Sequence, residues 1–328
     1  MTFPSIRLRR KRLHRWLRNL LQENSLSIND LIFPLFVHDE DKEVIPIEGL
    51  NQIKRYSISQ IINIVQEAKN LGINAIALFP VVNNQLKCEE AQEAYNPNNL
   101  ICNTIKAIKD VVPNIGIIAD VALDPYTPSG HDGIFINGKV DNDATIPVLC
   151  KQAAMLAAAG CDIVAPSDMM DGRIKAIREF LDNCSFQDTC ILSYAVKYCS
   201  SFYNPFRYAV GSRNTSQTID KSTYQVNIAN VNEALIEIQT DIDEGADIIM
   251  IKPGMPYLDI INSASNLFKV PVFAYQVSGE YAMIKAAAQN GWLDYDQAIY
   301  ESLIGFKRAG AKSIITYAAL ELANIINS

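Results

Sequence analysis

Two lysines stand at the ends of separate apolar, strand-like runs. Lys197 ends the run at residues 190–197 (CILSYAVK), and Lys252 ends the run at residues 248–252 (IIMIK). A strongly hydrated ammonium group is a poor end for a buried strand unless a site uses it. Desolvation or a neighbouring cation lowers a lysine pKa from about 10.4 and makes the amine reactive toward carbonyl compounds. The pair therefore indicates amine chemistry on a carbonyl substrate, and the alternative is two lysines that extend along apolar surface to reach solvent.

Eight apolar runs rich in β-branched residues alternate with helical patterns along the chain. These runs are residues 31–37, 75–81, 115–123, 162–167, 189–196, 246–253, 270–278 and 313–318. They are continuous rather than alternating, which is typical of strands buried on both faces of a parallel sheet. The helical patterns at residues 57–71, 144–159 and 231–244 each end before a glycine, a common signal for the end of a helix.

This order predicts an α/β fold, a (β/α)8 TIM barrel over residues 31–328, preceded by an extended or helical arm over residues 1–30. An open, doubly wound sheet is the alternative, but no Gly-x-Gly-x-x-Gly motif follows any of the predicted strands.

Barrel chemistry takes place at the C-terminal ends of the strands. The polar residues predicted there are Asp120, Asp124, Ser167, Asp168, Lys197, Lys252, Ser278 and Tyr317. Both lysines belong to this set, on neighbouring strands about 4.8 Å apart. We therefore expect the two amines to share one pocket and to lower each other's pKa. Asp120, Ser167 and Asp168 are interpreted as hydrogen-bonding supports rather than catalysts.

Composition narrows the class of protein. Of the 328 residues 49% are hydrophobic and 20% are charged, and the net charge is −7. These values favour a soluble globular protein and give no support for nucleic-acid binding. No apolar stretch approaches the roughly 18 residues of a membrane span, and no secretory signal pattern is visible at the start. The seven cysteines are dispersed, without a C-x-x-C pair. We therefore expect reduced thiols in a cytoplasmic enzyme that has neither a membrane nor a nucleic-acid partner.

Residues 7–18 depart from the acidic average, with seven basic residues and no acid. Leu13, Trp16, Leu17, Leu20 and Leu21 recur beside them at helical spacing. An organelle-targeting peptide and a nucleic-acid patch remain alternatives. We interpret the segment as an arm that lays its apolar stripe on another subunit.

Motifs along nearly the whole chain resemble the porphobilinogen synthase (5-aminolevulinate dehydratase) family. They are residues 31–37 (LIFPLFV), 193–198 (SYAVKY), 202–207 (FYNPFR), 250–257 (MIKPGMPY) and 275–281 (YQVSGEY). The last two are specific to this family. The resemblance implies a lyase that joins two molecules of 5-aminolevulinate, with loss of two waters, to porphobilinogen in haem and tetrapyrrole biosynthesis. It also implies a homo-oligomer, expected to be an octamer.

The resemblance assigns roles to individual side chains. Lys252 forms the Schiff base with the first substrate, and Lys197 serves the second. Arg207 and Lys221 hold one substrate carboxylate. Ser278 and Tyr317 hold the other. Residues 199–227 form a long barrel loop of the kind that closes over substrate, and we expect it to order over bound substrate, with residues 211–215 mobile.

The metal motif of zinc-using members has changed in this chain. The three positions that carry cysteine there hold Ala122, Asp124 and Asp132. Carboxylates favour harder cations than thiolates do, so no active-site Zn²⁺ is expected. The chain resembles the aspartate-rich branch, with Mg²⁺ or a monovalent cation near Asp124 and Asp132. Asp124 either contacts that cation or accepts a proton. The resemblance also implies an allosteric Mg²⁺ at a subunit interface, held by Glu237.

Two other functions remain open. A class I aldolase or a dihydrodipicolinate-synthase-like lyase needs only one lysine, so the paired lysines count against it. A catalytically silent scaffold has no reason to retain Lys197, Lys252, Arg207, Ser278 and Tyr317 together.

Overall fold

The computed structural model describes residues 2–47, 50–209 and 220–327, without the side chains of residues 50–52, 207 and 208. Eight parallel strands form its centre. They are β1 (Leu31–His38), β2 (Ala75–Val81), β3 (Gly116–Val121), β4 (Ile163–Pro166), β5 (Cys190–Lys197), β6 (Ile248–Lys252), β7 (Val272–Gln276) and β8 (Ser313–Thr316). Each strand pairs with the next, and β8 pairs with β1 to close the barrel.

Helices cover the outside of the barrel and precede it. They are α1 (Arg15–Leu20), α2 (Ile58–Asn70), α3 (Leu100–Val111), α4 (Asn142–Ala158), α5 (Arg173–Asn183), α6 (Asn204–Ala209), α7 (Asn232–Asp243), α8 (Leu258–Leu267), α9 (Ser278–Gln289), α10 (Tyr295–Ala309) and α11 (Ala319–Asn327). None of the helices within the described ranges is long and apolar enough to span a membrane. The closed α/β barrel predicted from the alternating pattern is confirmed.

The continuous apolar runs explain why these strands are central. All eight residues of β1 are buried, and so are seven of the eight in β5. A strand covered by helices outside and by side chains inside has no polar face. The turn between α4 and β4 uses Gly160 at φ +103°, a conformation that side-chain-bearing residues rarely adopt.

Two short hairpins were not predicted. Val44–Ile47 pairs antiparallel with Leu50–Tyr56, and the second of these strands lies beside β1 at Phe36 and Val37. Phe135–Ile136 pairs with Lys139–Val140. Both hairpins follow the ends of barrel strands, so they add walls on the side where the polar strand ends meet.

The chain before β1 is largely exposed. A 3-10 helix (Leu8–Arg12) and α1 contain no buried residue, and Trp16 is 64% exposed. Leu13 and Leu20 are exposed as well. The apolar stripe therefore lacks a covering surface within the described residues of this chain.

Candidate active site

One cavity lies at the C-terminal ends of the barrel strands. Lys197 and Lys252 are direct partners in the ladder between β5 and β6, and both line this cavity. Its walls also contain Asp120, Asp124, Asp132, Ser167, Tyr203, Phe206, Lys221 and Gln225. The cavity measures about 30 Å³, which is room for only a few water molecules.

Lys252 lies in an aromatic cage. Its Nζ is 4.7 Å from the ring centre of Tyr275, 4.9 Å from Phe206, 5.1 Å from Tyr194 and 5.4 Å from Tyr203. Burial, together with the charge of Lys197, lowers the pKa of Lys252 to about 7. At neutral pH a large fraction of this amine is therefore uncharged and able to attack a carbonyl carbon.

Lys197, in contrast, holds its proton more strongly than an ordinary lysine. Its Nζ donates to Asp132 Oδ1 at 2.8 Å and to the carbonyl of Ser167 at 2.5 Å. Burial opposes the charge, but Asp132, Asp124 and Asp120 outweigh burial and raise the pKa of Lys197. The expectation that the two amines lower each other's pKa is therefore wrong for Lys197, because a carboxylate contacts it directly.

The carboxylate of Asp132 accepts hydrogen bonds from three side chains, those of Lys197, Lys221 and Tyr224. Its Oδ2 accepts from Lys221 Nζ at 2.8 Å and from the Tyr224 hydroxyl at 2.8 Å. That hydroxyl lies 3.1 Å from Nδ1 of His131. Burial favours the neutral acid, but Lys197 and Lys221 together hold the pKa of Asp132 well below its usual range. Asp132 is therefore the shared counter-ion of two lysines.

Two further carboxyl groups line the cavity. Desolvation raises the pKa of Asp120 to about 6, although Lys197 and Lys252 oppose the shift. Desolvation also raises the pKa of Asp124, which faces Lys221 and the negative charge of Asp132. Asp120 and Asp124 are thus closer to accepting a proton at neutral pH than ordinary carboxylates are.

Ser278 and Tyr317, the residues expected to hold one carboxylate, are both buried but do not line this cavity. Ser278 begins α9, is fully buried, and has no hydrogen-bond partner for its Oγ among the described residues. The hydroxyl of Tyr317 lies 3.1 Å from that of Tyr275, whose ring belongs to the Lys252 cage. The Tyr317 hydroxyl is therefore one hydrogen bond away from the cage around the neutral amine.

Of the two residues expected to hold the other carboxylate, Lys221 and Arg207, only the side chain of Lys221 is among the described residues. Lys221 reaches the cavity, whereas the side chain of Arg207 lies outside the described residues, as do residues 211–215 of the predicted lid. Gln225 also lines the cavity, and its buried Oε1 has no partner in the described part of the chain. Sequence reasoning missed Gln225, because a lone glutamine in a loop carries no chemical signal.

Glu237 lies elsewhere. It is half-buried on α7 beside a second cavity of about 440 Å³, which also contains Glu233 and Asp171. Desolvation raises the pKa of Glu237, and nearby Arg173 opposes the shift. Tyr224 and Gln225 line this cavity too, so one loop separates it from the lysine cavity.

The described residues contain no group of three or more histidine, cysteine, aspartate or glutamate side chains placed to hold a metal. Ala122 and Asp124 follow β3, Asp124 lines the cavity, and all seven cysteines are free thiols.

Comparison with known proteins places this geometry in a family. The family model for delta-aminolevulinic acid dehydratase matches residues 5–325. The chain is 52% identical over 319 residues to the delta-aminolevulinic acid dehydratase of Bradyrhizobium diazoefficiens, covering 97% of this chain and 90% of that one. It is 47% identical over 319 residues to the chloroplastic delta-aminolevulinic acid dehydratase of Physcomitrium patens, covering 97% and 73%.

A solved structure is similarly close. The chain superposes with a TM-score of 0.95, at 48% identity, on the delta-aminolevulinic acid dehydratase (porphobilinogen synthase) of Toxoplasma gondii in complex with the reaction product porphobilinogen. The superposition covers 98% of this chain and 91% of that one.

Proposed function

This chain belongs to the delta-aminolevulinic acid dehydratase family, and we propose that its barrel condenses two molecules of 5-aminolevulinate to porphobilinogen with loss of two waters. The observation that carries the proposal is the pair of amines in one cavity, with the pKa of Lys252 near 7 and that of Lys197 raised. Condensing two ketones requires one activated as an iminium and another held beside it. The two protonation states suit these two tasks.

Lys252 holds the first substrate. Its neutral amine adds to the ketone carbon, and loss of the carbonyl oxygen as water leaves a Schiff base. The four aromatic rings within 5.4 Å of Nζ exclude bulk water and favour the cationic iminium. Asp120, with a pKa raised to about 6 by desolvation, lines the same cavity and is suited to exchange a proton there.

Lys197 serves the second substrate. Its ammonium group donates to Asp132 and Ser167 in the structure, and the same donors suit a substrate carbonyl oxygen. Holding that ketone beside the iminium converts a bimolecular encounter into a positioned reaction. The positive charge of Lys197 also adds to burial in lowering the pKa of Lys252.

Each substrate also carries a carboxylate. For the Lys252 substrate we propose Ser278 and Tyr317, because the buried Ser278 hydroxyl lacks a partner among the described residues and Tyr317 contacts the lysine cage. For the other substrate we propose Lys221 with Arg207, whose guanidinium matches a carboxylate geometrically. The free amide oxygen of Gln225 lies in the same cavity and is available to the substrate amine.

The segment over the cavity must move for substrate to enter. A cavity of about 30 Å³ cannot hold two keto acids. Phe206, Lys221 and Gln225 all line it and all come from the loop at residues 199–227. We propose that this loop opens to admit substrate and closes again over both molecules, as barrel lids do.

Metal use follows from the donor atoms present. At Asp132 both carboxylate oxygens already accept from ammonium or hydroxyl groups, so this residue does not fit a directly bound Mg²⁺ or monovalent cation. We propose that the barrel site works without Zn²⁺ and that Asp124 acts as a proton acceptor, with its pKa raised by desolvation. We therefore propose that the chain belongs to the aspartate-rich branch of the family.

Glu237 fits a hydrated cation better. Mg²⁺ dehydrates reluctantly and is often held by one or two carboxylates through its water shell. The 440 Å³ cavity beside Glu237 has room for such an ion, and Glu233 and Asp171 add negative charge to its wall. We propose an allosteric Mg²⁺ there, which would supply charge and ordered water.

Assembly and location are also proposals. The exposed apolar stripe of residues 1–30 suits contact with another subunit, and we propose a homo-oligomer, an octamer as implied by the family resemblance. Seven free cysteines fit a reducing, cytoplasmic setting.

The proposal is tested by product formation. Purified protein incubated with 5-aminolevulinate should yield the pyrrole, and Lys252→Met and Lys197→Met should each abolish it. Protein that forms no pyrrole but gives a pyruvate-derived, borohydride-stable adduct would instead support an aldolase-like or pyruvate-dependent lyase.

A further inference from the structure

Glu280 is a buried acid to which the proposed reaction assigns no role. It is the third residue of α9 and is fully shielded from solvent. Its Oε1 accepts from the backbone N–H of Met255 at 2.7 Å, and its Oε2 accepts from that of Val277 at 2.5 Å. One side chain therefore bridges the loop after β6 and the loop after β7.

These two loops carry residues of the proposed site. Met255 lies three positions after Lys252, and Val277 immediately precedes Ser278. The hydroxyl of Tyr203 donates to the carbonyl of Lys252 at 2.9 Å, which fixes the start of the first loop. The bridge thus connects the reactive amine to the hydroxyl proposed to hold the carboxylate of the same substrate.

The backbone around the Glu280 bridge is tightly packed. A Cβ on Gly254 would overlap the ring of Phe306, and a Cβ on Gly279 would lie 2.5 Å from the carbonyl oxygen of Phe202. The loop after β6 and the first turn of α9 are therefore closely packed against Phe306 and Phe202.

The link requires two acceptor oxygens. Burial raises the pKa of Glu280 to about 8, although the backbone N–H groups of Val277, Met255 and Gly254 oppose the shift. Each oxygen accepts from one backbone N–H group, so both are needed as acceptors. A glutamine would direct an NH₂ group at one of these donors, so it can keep only one of the two contacts.

A simpler role for Glu280 would be to cap the N-terminus of α9. The contact with the backbone N–H of the N-cap residue Val277 is the glutamate half of a capping box, which by itself stabilises a helix terminus. Such a cap does not involve Met255, which belongs to another loop. The contact between Oε1 of Glu280 and the N–H of Met255 is therefore not needed for helix capping.

We propose that Glu280 is a positioning residue that fixes the separation between the Lys252 amine and the Ser278 hydroxyl, so that the site favours ketones bearing a carboxylate a short spacer away. This inference rests on the proposed function of Lys252. It assigns substrate discrimination to a residue that touches no substrate.

The test uses two ketone probes with borohydride, measured as the rate of adduct formation on Lys252. Levulinate carries a carboxylate, and butanone does not. In the wild type levulinate should label Lys252 faster than butanone does. Glu280→Gln should lower this preference by about 10- to 100-fold, the scale of a displacement of about 1 Å, with butanone labelling little changed. An unchanged preference in a folded Glu280→Gln protein would overturn the proposal.

Matched variants separate positioning from general damage. Ser278→Ala should remove the same preference, and adding Glu280→Gln to it should lower the preference no further, because both act on one link. Independent, multiplying effects would contradict the proposal. Asp294→Ala, which removes the exposed N-cap of α10, controls for loss of stability and should retain the wild-type preference.

A Glu280→Gln variant that does not fold and a wild type that is not labelled lead to different conclusions. If Glu280→Gln does not fold, Glu280→Asp keeps both acceptor oxygens on a shorter stem and should show an intermediate preference; a wild-type preference there would count against the link. If neither probe labels Lys252 in the wild type, the proposed function fails. If both probes label Lys252 and the Glu280 variants keep the wild-type preference for levulinate, only the positioning role of Glu280 is contradicted.

Discussion

Lys197 and Lys252 face each other across one ladder of the barrel but hold their protons with opposite strength. They are direct partners between β5 and β6, yet the pKa of Lys252 falls to about 7 by burial while that of Lys197 is raised. The difference comes from Asp132, whose Oδ1 lies 2.8 Å from Lys197 Nζ. One carboxylate on one side of the pair thus separates a nucleophile from a fixed cation.

The reactivity of Lys252 should depend on pH through this pair. Only the neutral amine attacks a ketone, so trapping of Lys252 by levulinate and borohydride should rise as pH increases through about 7. Lys197→Met removes a charge that lowers the pKa of Lys252, so the midpoint should move to higher pH. Lys285→Met, which removes an ion pair with Glu321, should leave the midpoint in place. A midpoint that moves down or stays fixed in Lys197→Met would rule out the electrostatic coupling.

Asp132→Asn should destabilise the fold by about 3–5 kcal/mol, because it leaves two buried ammonium groups without their shared counter-ion. Urea unfolding at neutral pH measures this loss. The pKa of Asp132 is depressed in the folded protein relative to its ordinary value of 3.8. Its contribution is therefore present above about pH 4 and is lost as the pH falls toward the folded-state pKa. The difference in free energy of unfolding between wild type and Asp132→Asn should become smaller as the pH falls below about 4. A difference of the same size at all pH values would contradict this account.

Magnesium should act through Glu237. Addition of Mg²⁺ to chelator-treated wild type is expected to raise activity, if the ion binds in the cavity beside α7 as proposed. Glu237→Gln should keep the metal-free activity and lose the increase. Gln239→Glu, an exposed change on the same helix, controls for altered helix charge. Full stimulation of Glu237→Gln by Mg²⁺ would place the ion elsewhere.

Zinc should have no corresponding effect. Ala122, Asp124 and Asp132 offer no thiolate, and Asp132 is already bound by Lys197 and Lys221. Titration of chelator-treated protein with Zn²⁺ is therefore expected to leave the rate of porphobilinogen formation unchanged. Restoration of activity by one equivalent of Zn²⁺ would contradict the proposed metal branch.

Much of the barrel could be predicted from the sequence because local patterns determine it. The run at residues 75–81 coincides with β2, and the predicted lysine run ends where β5 ends, at Lys197. Strand ends then place Lys197 and Lys252 at one rim by the geometry common to all such barrels. The longer predicted run at residues 115–123 exceeds β3 because Ala122 and Leu123 are buried beyond the ladder.

The electrostatics could not be predicted, because they depend on contacts between distant parts of the chain. Asp132 lies 65 residues from Lys197 and 89 from Lys221, and spacing gives no hint of either pair. In the sequence Asp132 is interpreted as a replaced cysteine, with a Mg²⁺ or monovalent cation nearby. The direction of the Lys197 shift followed from this contact, which is why the expectation of mutual lowering was wrong. Glu280 likewise gains its second partner, Met255, from a loop 25 residues away.

The convergence of the two amines is tested most directly by mapping lysines after incubation with 5-aminolevulinate and borohydride. Peptide mass spectrometry should find one substrate-derived adduct on Lys252 in protein that forms porphobilinogen, and Lys252→Met should remove that adduct. Active protein with neither Lys252 nor Lys197 modified would contradict the assignment of the Schiff base to this cavity.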